Sequence, residues 1–129
     1  MYTLGIDIGS TTSKCIILKD GTEIAGKSIV VAGTGTDGPH LALEEVLKDA
    51  GLTRDDIACT IATGYGRKLF EEAEGEVSEL SCHARGVHFV FPDVHTVIDI
   101  GGQDAKVLSL NEKGRMMNFV TVSYTHLRA

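Results

Sequence analysis

The sequence predicts an α/β fold in which a mixed β-sheet is covered by helices on both faces. Two features of the 129-residue chain predict it. Runs of β-forming residues alternate with amphipathic helical segments, which is typical of sheets that are buried between helical layers. In addition, the phrase IDIGSTTSKCIILKDG near the start returns later as IDIGGQDAKVLSLNEKG. Each copy reads as a strand, a glycine turn and a second strand, which indicates two related halves.

The first copy opens a group of three antiparallel strands, predicted at residues 2–8, 14–19 and 23–31. Asp20-Gly21 forms the turn between the last two strands, because an Asp-Gly pair accepts positive φ angles. The apolar run CIIL within the second strand indicates burial on both faces. A helix is predicted at residues 39–50, where apolar residues recur at helical spacing and Gly51 suits the C-terminal cap.

The remaining elements lead into the second copy. A strand is predicted at residues 57–62, and two helices follow it at residues 68–73 and 78–90, the second with Ser78 as its N-cap. The second copy contributes three strands, at residues 94–100, 106–110 and 115–121. We therefore expect a first domain at residues 1–93, the truncated start of a second domain at 94–121, and a tail at 122–129.

Composition limits the classes of function. The formal net charge of −6 argues against a nucleic-acid partner, which would require a basic surface. No apolar run reaches the roughly 20 residues that span a bilayer, and no signal peptide is visible at the N-terminus, so we expect a cytoplasmic protein and no membrane partner. The chain has three cysteines, Cys15, Cys59 and Cys82. They lie far apart in the sequence and form no CxxC pair, so we expect no disulfide framework.

The glycine turn of each copy is a candidate phosphate site. Backbone N–H groups and small hydroxyls of such a turn form a cradle of oriented dipoles, and Lys14 adds a positive charge unless strand alternation directs it elsewhere. The motif is not a Walker A loop, because GxxxxGK[ST] is absent. The alternative is a β-hairpin with a polar tip, which the second copy disfavours. The candidate residues are Gly9, Ser10, Thr11, Thr12, Ser13 and Lys14, and in the second copy Gly101, Gly102 and Gln103.

Asp7 and Asp99 each end an apolar strand directly before a turn. A half-buried carboxylate requires compensation, and Mg²⁺ held mostly through water would provide it. Alternatively, each Asp caps the N–H groups of its own turn. Gln103 could orient a water for attack on a γ-phosphate, or it is a turn amide. We expect the two hairpins to superpose and their tips to face each other across a cleft, as a phosphate clamp.

Two other motifs leave alternatives open. In the loop TGYGR, two glycines allow a close backbone approach, and Arg67 either meets a phosphate or a partner, or is solvated. Cys82-His83 resembles half of a metal site, but a second pair is missing. On an amphipathic helix such a pair is more often part of the packing.

Four phrases together carry a family resemblance: GIDIGSTTSK, ATGYGR, SELSCHARG and VIDIGGQDAKV. Over residues 2 to about 120, the chain resembles the activator ATPases of 2-hydroxyacyl-CoA dehydratases, a family that includes the 2-hydroxyglutaryl-CoA dehydratase activator and the ATPase subunits of benzoyl-CoA reductase. The resemblance implies a ribonuclease-H-like fold, a homodimer, and ATP/ADP with Mg²⁺ between two domains. It also implies a shared 4Fe–4S cluster, a donor such as ferredoxin or flavodoxin, and ATP-driven transfer of a low-potential electron into the dehydratase.

The end of the chain departs from this family pattern. The family continues after Phe119 into a segment with a cluster cysteine, whereas Thr125 stands at about that place here, and residues 122–129 look foreign. None of the three cysteines matches a cluster ligand, so we expect no iron–sulfur ligands in this chain. Two alternatives remain: a small-molecule kinase of the same superfamily, which would need a carboxylate base, and a non-catalytic half-domain.

Overall fold

The computed structural model describes residues 1–101 and 104–123 of the chain. These residues form two compact units, Met1–Ser78 and one that begins at Glu79, and each unit contains its own sheet. The helix expected at residues 78–90 groups with the second unit, whereas the sequence assigned it to the first domain. The division at residue 93, which follows the sequence repeat, stays a prediction.

The first unit contains the mixed sheet that the sequence predicts. Three strands form an antiparallel meander, and two further strands lie parallel beside the first one, in the spatial order β3-β2-β1-β4-β5. The strands are β1 (Tyr2–Ile8), β2 (Ser13–Lys19), β3 (Glu23–Val30), β4 (Ile57–Thr63) and the unpredicted two-residue β5 (Gly75–Glu76).

The turn between β2 and β3 forms as predicted. Asp20 and Gly21 both adopt positive φ angles, of 53° and 76°, and the Thr22 N–H donates a hydrogen bond to the Lys19 carbonyl at 3.2 Å. Two consecutive positive φ angles match the right-handed twist of the flanking strands.

Helix α1 (Gly38–Ala50) packs against the meander. Its apolar stripe, Ala42, Leu43, Val46 and Leu47, is buried against β-strand residues such as Ile6 and Ile17. Gly51 ends the helix with a φ of 69°, and the Leu52 N–H donates to the Leu47 carbonyl at 2.9 Å. The predicted C-terminal cap is therefore confirmed, since a left-handed glycine lets the chain satisfy the last free carbonyls.

Burial on both faces of β2 was a wrong expectation. Cys15 and Ile17 are buried towards α1, while Ile16 on the opposite face is 37% exposed. Successive side chains of a strand point to opposite sides, and α1 covers one side of this sheet.

The predicted helix at residues 68–73 is also wrong. Arg67–Leu69 forms a single 3₁₀ turn, after which Phe70 is buried in the core of the unit. The chain then returns to the sheet, because the Glu74 N–H donates to the Thr60 carbonyl at 2.9 Å and the Thr60 N–H donates to Glu74 Oε2 at 2.6 Å. These tertiary contacts override a weak local helical preference.

The second unit is an antiparallel meander with one helix on it. Strands β6 (Thr96–Ile100), β7 (Asp104–Leu110) and β8 (Met116–Ser123) are paired in chain order. Helix α2 (Glu79–Val90) contributes Ala84 to a small core with Leu108 and Leu110. Strand β8 includes residues 122 and 123 of the expected foreign tail, and Thr125 lies outside the described residues. In the described ranges, no helix is long and apolar enough to cross a membrane.

The packing of α1 gives a stability prediction with a matched control. Leu43 is 5% exposed and Leu41, two residues earlier on the same helix, is 46% exposed. Leu43→Ala should lower the free energy of unfolding by about 2–5 kcal/mol, because a buried cavity adds to the lost transfer energy. Leu41→Ala should change it by less than about 0.5 kcal/mol. Urea denaturation of both variants measures this difference, and equal losses would contradict the observed orientation of α1.

Candidate functional site

The two copies of the repeated phrase form matching hairpins. Asp7 lies opposite Lys14 in the β1–β2 pair, and Asp99 lies opposite Lys106 in the β6–β7 pair. The turns also close alike. The Gly9 N–H donates to the carbonyl of residue 12 at 2.8 Å, and the Gly101 N–H donates to the carbonyl of residue 104 at 2.9 Å. The predicted similarity of the hairpins is confirmed, while the facing of their tips stays a prediction.

In the first hairpin, Lys14 stays beside the turn. Its Nζ donates to Thr12 Oγ1 at 3.0 Å and lies 3.4 Å from Asp7 Oδ2. Both charged side chains are about 40% exposed, at 42% for Lys14 and 38% for Asp7. Such exposed pairs are weak, so a phosphate or a cation can replace one partner at little cost. The turn N–H of Gly9 bonds to backbone rather than to Asp7, which disfavours the capping alternative.

The hydroxyls of this loop point in different directions. Ser10 and Thr11 are exposed at the tip, whereas Ser13 is fully buried. The Ser13 Oγ donates to the Ala32 carbonyl at 2.8 Å, because strand alternation turns this side chain towards α1. The placement therefore does not support Ser13 as a phosphate ligand, and its hydroxyl instead anchors the loop after β3.

Two loops hold the tip of the first hairpin. The Thr34 N–H donates to the Gly9 carbonyl and the Gly66 N–H donates to the Ile8 carbonyl, both at 2.9 Å. A Cβ at Gly33 would collide with the backbone of residues 9 and 10, and a Cβ at Gly64 would collide with Asp7 Oδ1 and the Ile8 carbonyl. The TGYGR loop thus makes the close approach that its glycines predict. The contact of Gly33 and Thr34 with the hairpin tip was not predicted from the sequence, although the glycine-rich stretch after β3 was a signal for this contact.

Arg67 is not simply solvated, and its contact with a phosphate or a partner stays a prediction. A guanidinium nitrogen donates to the Gly64 carbonyl at 3.1 Å, and Nε lies 3.9 Å from Glu76 Oε1. The side chain therefore fastens its own loop to β5, which was not predicted from the sequence. The hydrogen bond from Arg67 helps to keep Gly64 in its close approach to Asp7.

The second hairpin has a different set of partners. Lys106 Nζ donates to Asp104 Oδ1 at 2.8 Å, and this hydrogen bond is the main reason that the pKa of Lys106 is raised. His83 Nδ1 on α2 lies 3.1 Å from Asp99 Oδ2. The sequence favoured plain packing for His83 and missed this contact. Gly102 and Gln103, predicted as phosphate and water ligands, lie outside the described residues.

The carboxylates suit a magnesium ion that is held mainly by other ligands. In the described parts of the chain, no group of three His, Cys, Asp or Glu side chains is placed to hold a metal ion. Mg²⁺ usually retains several waters and binds one or two carboxylates together with substrate phosphates. One half-exposed Asp at each hairpin tip fits that donor set.

The cysteines do not fit an iron–sulfur cluster. Cys15 is buried in the core, and burial raises the pKa of its thiol to about 12, whereas cluster ligands are thiolates. Cys59 lies on β4, which β1 separates from β2 and Cys15. Cys82 lies on α2 in the other unit. The expectation that these three cysteines are not cluster ligands stays a prediction, which the burial of Cys15 supports.

A small cavity lies beside the first hairpin tip. Its volume is about 180 Å³ and its walls include Ile8, Thr34, His40 and Phe70. Pockets for whole small molecules measure roughly 300–1,000 Å³. This cavity is therefore smaller than a site for a whole nucleotide.

The close approach of Gly64 can be tested against Gly35. Both residues have positive φ angles, of 92° and 79°, but a Cβ at Gly35 would meet nothing within 4 Å. Backbone strain is therefore similar in the two Gly→Ala variants, and the collision with Asp7 and Ile8 is added only at Gly64. We expect Gly64→Ala to lower the free energy of unfolding by about 1–3 kcal/mol more than Gly35→Ala. Urea denaturation is the measurement, and equal losses would show that the loop is not packed on the tip.

The chain matches a known protein family over nearly its whole length. The profile of the BadF/BadG/BcrA/BcrD ATPase family matches residues 4–124. The (R)-2-hydroxyglutaryl-CoA dehydratase activating ATPase of Acidaminococcus fermentans is 60% identical over 120 residues, which are 92% of this chain and 46% of that protein. The chain thus spans about half the length of this relative.

Solved structures agree with the fold. The activator of the 2-hydroxyisocaproyl-CoA dehydratase from Clostridium difficile with bound ADPNP superposes with a TM-score of 0.90 at 52% identity, covering 95% of this chain and 46% of that one. The ethanolamine utilization protein EutJ from Carboxydothermus hydrogenoformans, at 16% identity, shares the fold alone, with a TM-score of 0.66 over 95% of this chain and 52% of that one. The expected ATPase fold is confirmed. With a family profile that covers nearly all of its length and two hairpins of matching register, the chain belongs to the BadF/BadG/BcrA/BcrD ATPase family.

Proposed function

We propose that this chain is the N-terminal part of an ATP-hydrolysing activator of a 2-hydroxyacyl-CoA dehydratase. The full-length parent of the chain would be a protein that continues this sequence over the length of its relatives. The observation that carries the proposal is the pair of hairpins in which an Asp faces a Lys beside a glycine turn. It is supported by relatives that are named as dehydratase activators and by a structural neighbour with bound ADPNP.

We assign the following roles to the residues of the two hairpin tips. On the first hairpin, the backbone N–H groups of residues 10–12, the hydroxyls of Ser10 and Thr11, and Lys14 bind phosphate oxygens beside the turn that Gly9 closes. On the second, Gly101 has the position of Gly9, and Gly102 and Gln103 bind phosphate oxygens, with Gln103 orienting the attacking water. Asp7 and Asp99 would hold Mg²⁺, which would supply positive charge against the phosphates. Oriented N–H groups and hydroxyls stabilise developing charge on the transferred phosphoryl group without rearranging.

In the parent, ATP hydrolysis would be coupled to the transfer of one low-potential electron into the dehydratase, and a 4Fe–4S cluster would carry that electron. The parent would supply the cluster ligands outside residues 1–101 and 104–123, since the cysteines of these ranges do not fit a cluster. We further propose a cytoplasmic homodimer that receives its electron from ferredoxin or flavodoxin.

The role of Asp99 can be tested by removing its charge. In the full-length parent, Asp99→Asn should reduce ATP turnover by at least about 100-fold with the fold intact, because an amide cannot replace the carboxylate that organises Mg²⁺. Asp93→Asn is the control, since it makes the same change at an exposed position of the same unit. Steady-state phosphate release measures both. Turnover of Asp99→Asn within twofold of the parent would rule out this role.

The assignment of cluster ligands can be tested on the present chain. Anaerobic reconstitution with iron and sulfide should leave it without a stoichiometric cluster, because Cys15 is buried and protonated and the other cysteines lie on separate elements. Visible absorbance after gel filtration is the measurement, with the full-length parent as the positive control. A stoichiometric cluster on this chain would show that the cysteines are misassigned.

A further inference from the structure

The two hairpins differ at several positions, and one of these differences lies beside the lysine that faces the shared Asp. Thr12 of the first hairpin corresponds to Asp104 of the second. Lys14 is shared between Thr12 Oγ1 at 3.0 Å and Asp7 Oδ2 at 3.4 Å. Lys106 instead donates to Asp104 Oδ1 at 2.8 Å, and the Asp104 hydrogen bond outweighs the influence of Asp99 on the Lys106 pKa. The lysine of the second hairpin is therefore committed to Asp104.

His83 on α2 is the partner of Asp99, whereas Asp7 has the lysine of its own hairpin as its partner. Its Nδ1 lies 3.1 Å from Asp99 Oδ2, and both side chains are about one-third exposed, at 38% and 31%. Packing fixes this approach, because the next residue of α2, Ala84, is buried against Leu108 of β7. Val97, two residues before Asp99, packs against the same small core, so strand alternation directs Asp99 towards α2.

The chemistry of this contact identifies the hydrogen-bond donor. An ionised carboxylate only accepts hydrogen bonds, so Nδ1 must carry the proton for the contact to be favourable. Among the described residues, the contact from His83 goes to Oδ2, so Oδ1 is the oxygen through which Asp99 can meet another ligand. Carboxylates that bind metal ions are themselves usually held by such outer hydrogen bonds, which fix their orientation.

We propose that His83 is a positioning residue, which holds the Asp99 carboxylate through an Nδ1–H donor so that its second oxygen meets the Mg²⁺–nucleotide complex in the full-length parent. This rests on the proposed function, because it assumes that Asp99 serves Mg²⁺. The surrounding charges fit the arrangement. Asp104 retains Lys106, and Glu79 on α2 also attracts this lysine. His83 is therefore the group that donates to Asp99.

Two amide variants of His83 distinguish the roles of its two ring nitrogens. His83→Asn places an amide nitrogen near the position of Nδ1, whereas His83→Gln places it near Nε2. Calorimetric titration of ADP into the full-length parent, with and without Mg²⁺, measures the Mg²⁺-dependent gain in affinity. We expect His83→Gln to lose about tenfold or more of this gain, with unchanged affinity for ADP alone. His83→Asn should stay within about threefold of the parent, and kcat for ATP should follow the same order with KM little changed.

Three results would overturn the positioning role. The first is that His83→Gln keeps the full Mg²⁺-dependent gain, and the second is that the two variants lose it equally. The third is that both lose affinity for ADP without Mg²⁺ together with their thermal midpoint, as a structural role requires. Asp99→Asn separates this proposal from the proposed function. Retention of the Mg²⁺-dependent gain in Asp99→Asn refutes the role of Asp99, whereas loss there with a normal His83→Gln refutes only the role of His83.

A direct measurement covers the case in which His83→Gln does not fold. Nitrogen-15 NMR of histidine-labelled parent without nucleotide should show His83 in its Nδ1-protonated form, and Asp99→Asn should shift that resonance. A His83 ring that carries its proton on Nε2, or that is unaffected by Asp99→Asn, overturns the proposal.

Discussion

The antiparallel pairing of β1 with β2 is the constraint on which the first unit depends. It sets Asp7 opposite Lys14 and closes the turn with the Gly9 N–H on the Thr12 carbonyl. Because side chains alternate along a strand, this register also sends Ile6, Ile8 and Cys15 into the core under α1. One register thus places the charged pair on one face and the main hydrophobic contacts on the other, and a slip by one residue would exchange them.

The loops around the first tip hold the backbone of this hairpin in place through hydrogen bonds. Backbone hydrogen bonds from Thr34 and Gly66 end on the carbonyls of Gly9 and Ile8, and the buried Ser13 hydroxyl holds the chain at Ala32. The ion pair of Asp7 and Lys14 is itself weak, since it is half-exposed. A firm backbone with a loosely paired charged face is well suited to phosphate, because binding requires little rearrangement.

The second hairpin shows how one substitution within a repeat changes the electrostatics of a site. Asp104 stands at the position of Thr12 and adds a carboxylate that accepts a hydrogen bond from Lys106. Asp99 instead contacts His83 on α2. The Asp and Lys side chains of the first hairpin balance each other, whereas the second hairpin has one additional negative charge. On charge alone, the second hairpin is the more favourable of the two for a divalent cation.

Local sequence determined the strands of both hairpins, the Asp20-Gly21 turn and the Gly51 cap, because alternation, turn chemistry and helix ends depend on residues close in the chain. It also placed Asp7 and Asp99 at strand ends beside glycine turns. Tertiary structure alone decided that Ser13 faces the core, that Arg67 fastens its own loop, that residues 68–73 return to the sheet, and that His83 meets Asp99. Each of these depends on which distant element packs alongside, since periodicity assigns a side chain to a face but does not name the partner that covers it.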